Sequence, residues 1–124
     1  MARLTEALRS VLWIASSKKD YQKFLPEVQD AFGFQLHLAQ AGLHPPSAKP
    51  LKGIAPGVLE LMEAFDGDTY RAVYTIRFET AVYVLHAFQK KSKQGVKTPK
   101  ADIDLIKQRL KDAEAHHASV HDKD

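Results

Sequence analysis

The sequence has no cysteine, which removes disulfide frameworks, thiolate nucleophiles and cysteine-ligated zinc from consideration. It also has no apolar run near the ~20 residues that cross a bilayer as a helix, so no membrane association is expected. No internal repeat or low-complexity stretch divides it. Charge of one sign is scarce as well: 18 Lys+Arg against 15 Asp+Glu leave a formal net charge of +3. What remains is an ordinary globular balance over 124 residues, 44% hydrophobic and 27% charged. Such a chain is expected to form one domain spanning 1–124 and to bury roughly two-thirds of its unfolded surface. The N-terminal stretch mixes Arg3 and Arg9 with Glu6, and its apolar run stops at Ser16-Ser-Lys-Lys-Asp20. That is unlike a cleavable signal, and a cytoplasmic location is expected.

The near-zero total conceals an uneven distribution. Residues 1–47 carry net +1, residues 48–70 net −2, residues 71–100 net +6 and residues 101–124 net −2. One thirty-residue stretch is therefore a concentrated positive source, suited to a polyanion, although a solvated basic surface would look the same.

Periodicity predicts the elements. Val11 to Ala15 is a short apolar run read as a strand. Ser17-Lys-Lys-Asp20 has the form of a helix start, with the hydroxyl as cap, leading to a short helix up to Leu25. Pro26 suits the first turn of a second helix running to Ala41. Val28, Phe32, Leu36 and Ala39 form its apolar stripe, and Gly42 ends it. Three strands follow, Val58–Phe65, Thr69–Phe78 and Ala81–Phe88, joined by Asp66-Gly-Asp68 and Glu79-Thr80 into an antiparallel meander. Residues 90–97 read as basic loop. Thr98-Pro99 is expected to cap a last helix with Ile103, Ile106, Leu110 and Ala113 on one stripe. From about His116 the tail is polar and expected to fray. The order β-α-α-β-β-β-α is an α+β fold, a mainly antiparallel sheet with helices packed on one face.

Alternation in the second of the three strands puts Arg71 and Arg77 on the face opposite Tyr70 and Tyr74. With the aromatics under the helices, both arginines would point to an open side, and Arg71 is expected to be exposed. In the last strand Val82, Val84, His86, Phe88 and Lys90 share a face, and neighbouring strands bring Arg71 near His86 to Lys91. Guanidinium, ammonium and imidazole groups together suit cleavage of RNA by its own 2′-hydroxyl. Cations would neutralise the phosphorane, and a histidine, or a lysine of depressed pKa, would move the protons. Each residue has a plainer reading: His86 as a bonded core histidine, Arg71 as an ion-pair partner of Glu60 or Glu63, and Lys90, Lys91 and Lys93 as a solvated strand end. The tail offers two imidazoles at i, i+4 within His116, His117 and His121. No carboxylate cluster accompanies them, and neither a metal nor another cofactor is expected.

Several stretches resemble the RelE/HigB toxins, most of all their phage-derived HigB-like branch. These are Ala48-Lys-Pro-Leu-Lys-Gly53, Val58-Leu-Glu-Leu61, Asp66-Gly-Asp-Thr-Tyr-Arg-Ala-Val-Tyr74 and Tyr83-Val-Leu-His-Ala-Phe-Gln-Lys-Lys-Ser-Lys93. Lys97-Thr-Pro99 and the helix through Arg109 continue the likeness, which covers residues 11 to 113. The resemblance implies a RelE-like fold and a ribosome-dependent mRNA endonuclease, the toxin of a type II toxin–antitoxin pair. It also implies a cognate antitoxin, in this branch usually a helix-turn-helix protein, and mRNA on the ribosome as substrate. Arg71 matches the strand arginine that contacts the scissile phosphate, and Lys90 and Lys91 match basic positions ending the last strand. Lys52 falls where the family places a basic residue near RNA, with Lys49, Arg77, Lys93 and Lys97 as further RNA contacts. Where some members carry a tyrosine or histidine general acid, this chain has Lys97 and Lys100, and His86 is the candidate substitute. Two other functions fit the same residues: a non-catalytic ParE-like toxin acting on gyrase, and a non-toxic nucleic-acid-binding module.

Overall fold

The computed structural model describes residues 8–90 and 98–121. Strand β1 (Ser10–Trp13) is followed by α1 (Ser17–Tyr21), α2 (Pro26–Gln40), β2 (Lys49–Pro50), β3 (Val58–Phe65), β4 (Asp68–Phe78), β5 (Ala81–Lys90) and α3 (Lys100–His121). The strands form one sheet in the order β1-β5-β4-β3-β2. Only β1 runs parallel to its neighbour, β5; the other pairings are antiparallel. The expected α+β order therefore stands, with the two-residue edge strand β2 added.

Each element follows from local chemistry. Pro26 lies in the first turn of α2, where its missing N–H is no loss. Val28, Phe32, Leu36 and Ala39 are then buried along one stripe. Asp66 and Gly67 both have positive φ (52° and 86°), the backbone that a two-residue hairpin turn needs to match strand twist. The start of α1 differs from expectation. Ser17 spends its hydroxyl on the Val84 carbonyl (3.0 Å), and no side chain caps the helix. Ser16 instead donates to Asp20 Oδ2 at 2.8 Å.

Strand alternation gives the sheet two apolar faces. On one, Leu59, Leu61, Tyr70, Ala72, Tyr74, Val82, Val84 and Ala87 pack with Phe24 and the α2 stripe. On the other, Val58, Val73, Ala81, Tyr83 and Leu85 pack with Ile106, Leu110 and Ala113 of α3. The expectation of helices on one face describes the α2 side; α3 lies across the other. The C-terminal region is not frayed at His116, since α3 continues to His121. Its last turns are docked by Tyr83 Oη bonded to His116 Nδ1 (2.7 Å) and by the His117 ring against Phe78 at 4.3 Å.

Candidate nucleic-acid interface

The chemistry-bearing side chains collect on the α3 face, near the end of the β4–β5 pair. Cross-strand register sets two neighbouring rows. Glu60 lies opposite Val73 and Val73 opposite His86, while Met62 lies opposite Arg71 and Arg71 opposite Phe88. Arg71 and Glu60 are thus diagonal neighbours on adjacent strands, within reach of a long side chain.

Arg71 does not point to an open side. It is 0% exposed, because α3 covers the face that alternation alone left unassigned. Its Nη1 lies 3.3 Å from both carboxylate oxygens of Glu60 and 3.3 Å from Thr98 Oγ1. Thr98 in turn donates to Glu60 Oε2 at 2.8 Å. The expected cap on α3 is therefore absent in that form: the helix begins at Lys100, and the Thr98 hydroxyl is turned to the sheet. The ion-pair reading of Arg71 with Glu60 is the one the structure shows.

His86 has also changed face. Tyr74 pairs with Val84 and Val73 with His86, a register shift that leaves Leu85 as the extra residue of a bulge. The bulge turns His86 away from the Val82 and Val84 face and towards α3. There Nε2 lies 2.7 Å from Asp102 Oδ1 and Nδ1 lies 3.5 Å from Arg109 Nη1. A guanidinium can only donate, so Nδ1 accepts and Nε2 carries the proton given to Asp102. Both ring nitrogens are engaged, and the ring is stacked on Phe88 at 4.7 Å. Arg109, itself buried, also donates to the Leu85 carbonyl and to Ser16 Oγ, both at 3.1 Å. This arrangement fastens α3 and the α1 start to β5; it leaves the imidazole no free nitrogen for a substrate.

The remaining expected residues divide by position. Lys90 ends β5 opposite Thr69. Lys49 is exposed and pairs across the edge with Glu60, so it shares the Glu60 row, and Lys52 is exposed in the turn after β2. Arg77 is six residues from Arg71, about 20 Å along the strand, and is ion-paired with Glu114 at 2.6 Å; the structure does not bring it into the cluster. Lys91, Lys93 and Lys97 lie outside the described residues. Among the described residues no group of three metal-ligating side chains occurs. Thr98, Asp102 and Arg109 were not singled out as site residues. Asp102 and Arg109 carry only the signal of polarity on the inner side of an amphipathic helix, and the Thr98-Pro99 pair signals a helix start, not a site.

Comparison with known proteins fits this geometry. The family described as phage derived protein Gp49-like matches residues 19–111. The chain belongs to this family. An arginine double mutant of the E. coli toxin RelE, solved in the free state, is similar to this Gp49-like chain with a TM-score of 0.52 and 18% identity. That likeness covers 71% of this chain and 87% of RelE, and establishes a shared RelE-like fold. The RelBE2 toxin–antitoxin complex from Mycobacterium tuberculosis is similar at a TM-score of 0.47 and 21% identity, over 67% of this chain and 99% of that one. No curated protein matches the Gp49-like chain in sequence. Among its described residues no helix is long and apolar enough to cross a membrane.

Proposed function

We propose that this Gp49-like chain is the toxin of a type II toxin–antitoxin pair, an endoribonuclease that cuts mRNA on the ribosome as the HigB-like branch does. The observation that carries the reading is the family match over 19–111 on a RelE-like sheet. The charge distribution supports it, since the net +6 stretch begins on β4 and ends where α3 begins. In this reading Lys90 and Lys91 neutralise the developing phosphorane charge, and Lys49, Lys52, Lys93 and Lys97 hold the RNA backbone. Arg71 serves the site as scaffold, because its charge is already matched by Glu60. His86 likewise holds α3 in place. The chain would work in the cytoplasm and be restrained by a cognate antitoxin, a small helix-turn-helix protein.

Inducing the protein in a bacterium should stop translation and leave transcripts cut at positions within the ribosome. Lys90→Ala/Lys91→Ala should relieve the arrest with the fold retained by circular dichroism. Growth arrest with intact transcripts would reject the reading. One observation favours a second reading, a non-catalytic toxin of the same fold acting on gyrase: Arg71 and His86 are both occupied internally. That reading expects DNA-damage signalling and no RNA cleavage.

A further inference from the structure

We propose that the outer face of α2 is a docking surface for a second copy of this chain, packed helix against antiparallel helix.

Helix α2 carries two apolar stripes. The first, Val28, Phe32, Leu36 and Ala39, is buried on the sheet. The second is Ala31, Phe34, Leu38 and Ala41, whose spacing of three, four and three is that of a helix–helix seam. At 100° per residue it is centred roughly 125° around the helix from the first. Phe34, in its middle, is 61% exposed. The helix end lengthens this stripe. Gly42, with a φ of 82°, donates its N–H to the Ala39 carbonyl at 3.0 Å, and Leu43 donates to the Leu38 carbonyl at 2.9 Å. Those are the two bonds of a Schellman motif, and they bring Leu43 back beside the Leu38 turn, where it is 59% exposed. Two large apolar side chains held in water on one helix face forgo the stabilisation that burial supplies, and a patch of this kind marks a contact surface.

Charge selects the occupant. Glu27 and Asp30 are exposed at the N-terminal end of α2. From Ala31 to Leu59 the sequence has no carboxylate, and the C-terminal end of the face carries the exposed imidazoles of His37 and His44 instead. The face is acidic at one end, apolar in the middle and basic at the other. Turned about a two-fold axis it complements itself, whereas a parallel copy would set acid against acid. An axis level with Leu36 sets Ala31 opposite Ala41 of the second copy and Phe34 opposite its Leu38. It also brings Asp30 alongside the second copy's Gly42–His44 turn. Small residues at both ends let the helices approach, and the large side chains fill the centre. Antiparallel helices also oppose their dipoles favourably. The contact is isologous and closes at two copies. A fifteen-residue helix spans only about 22 Å, so the interface is small and the dimer reversible on dilution. Because α2 and α3 lie on opposite faces of the sheet, pairing through α2 leaves the α3 face uncovered.

The test is sedimentation equilibrium of the full chain from micromolar to submillimolar concentration. The parent should show a monomer–dimer equilibrium. Phe34→Glu alters a side chain already in water; it should keep the circular dichroism spectrum and weaken the dimer at least about thirtyfold. Asp30→Lys should weaken it about fivefold. A parent that stays monomeric throughout overturns the proposal and leaves the face to a different partner. A dimer that Phe34→Glu leaves intact overturns it as well, and one as tight in Asp30→Lys as in the parent overturns the antiparallel packing. Should Phe34→Glu fail to fold, Leu43→Asp at the end of the stripe makes the same comparison. Oligomeric state is read without RNA, so a missing dimer leaves the toxin reading standing, and a failure to cleave mRNA leaves the dimer standing.

Discussion

The two faces of one sheet are built in opposite ways. Against α2 the sheet offers hydrocarbon and rings: Phe24 meets Tyr70 at 5.0 Å and Phe32 at 5.9 Å, and Tyr21 links Trp13 to Phe24. Against the N-terminal half of α3 it offers charge. Glu60, Arg71 and His86 of the strands are buried there with Arg109 of α3 itself, tied to Thr98 and Asp102. The apolar face gains stability without direction, through area removed from water. The polar groups at this end of the α3 face, beside the apolar packing of Ile106, Leu110 and Ala113 on Val73 and Leu85, add little net stability, but they admit one arrangement of α3 on the strands, because any other leaves a buried charge unmatched.

Substitutions on each face should break the contrast to different degrees. Phe32→Ala on the apolar face should cost about 3–5 kcal/mol, seen as a large fall in the urea midpoint. Arg71→Ala should cost a similar ~3–5 kcal/mol by stranding Glu60. The double change Arg71→Met/Glu60→Leu should recover most of that loss, which no apolar-face pair would do. An exposed arginine would have shown almost no effect, so this pair separates the two placements of Arg71 directly.

Tyr74 is the polar flaw in the apolar face. Its hydroxyl is buried with no hydrogen-bond partner among the described residues, and burial pushes its pKa from 10.0 up to about 12. Tyr74→Phe should therefore stabilise the fold by about 1 kcal/mol, measured as a higher urea midpoint. The folded state holds the phenolic proton more tightly than the unfolded chain. Its contribution is complete below pH 10 and is lost as pH rises towards 12. In the Phe variant the alkaline fall in stability over that window should be smaller. Tyr21 and Tyr83, shifted the same way by burial, keep part of it. The smallest effect belongs to Arg77→Ala. Its ion pair with Glu114 is over a third exposed on both sides, and its loss should cost less than about 1 kcal/mol, falling further with salt.

Much of the scaffold was legible because its signals are local. The stripe Val28, Phe32, Leu36, Ala39 defined α2, and the Asp66-Gly67 pair defined the hairpin. The site was less legible for reasons that are not local. Alternation in β4 separated Arg71 from Tyr70 and Tyr74 correctly, but it does not say which face a distant helix will cover. In β5 the Leu85 bulge reverses alternation after Val84, so His86 and Phe88, which simple alternation groups with Val82 and Val84, lie on the opposite face. The helical tail through His116 depends on Tyr83, thirty-three residues away. The Arg71–Glu60 pair was visible as an alternative, since two opposite charges on adjacent strands need only a register to meet.

The most direct test of the toxin reading is cleavage of a defined mRNA by the purified chain, with and without ribosomes translating it. Cuts confined to the ribosome-bound message, and lost in Lys90→Ala/Lys91→Ala, are the expected result. An intact message on ribosomes, from a preparation that still arrests growth when expressed, would contradict it.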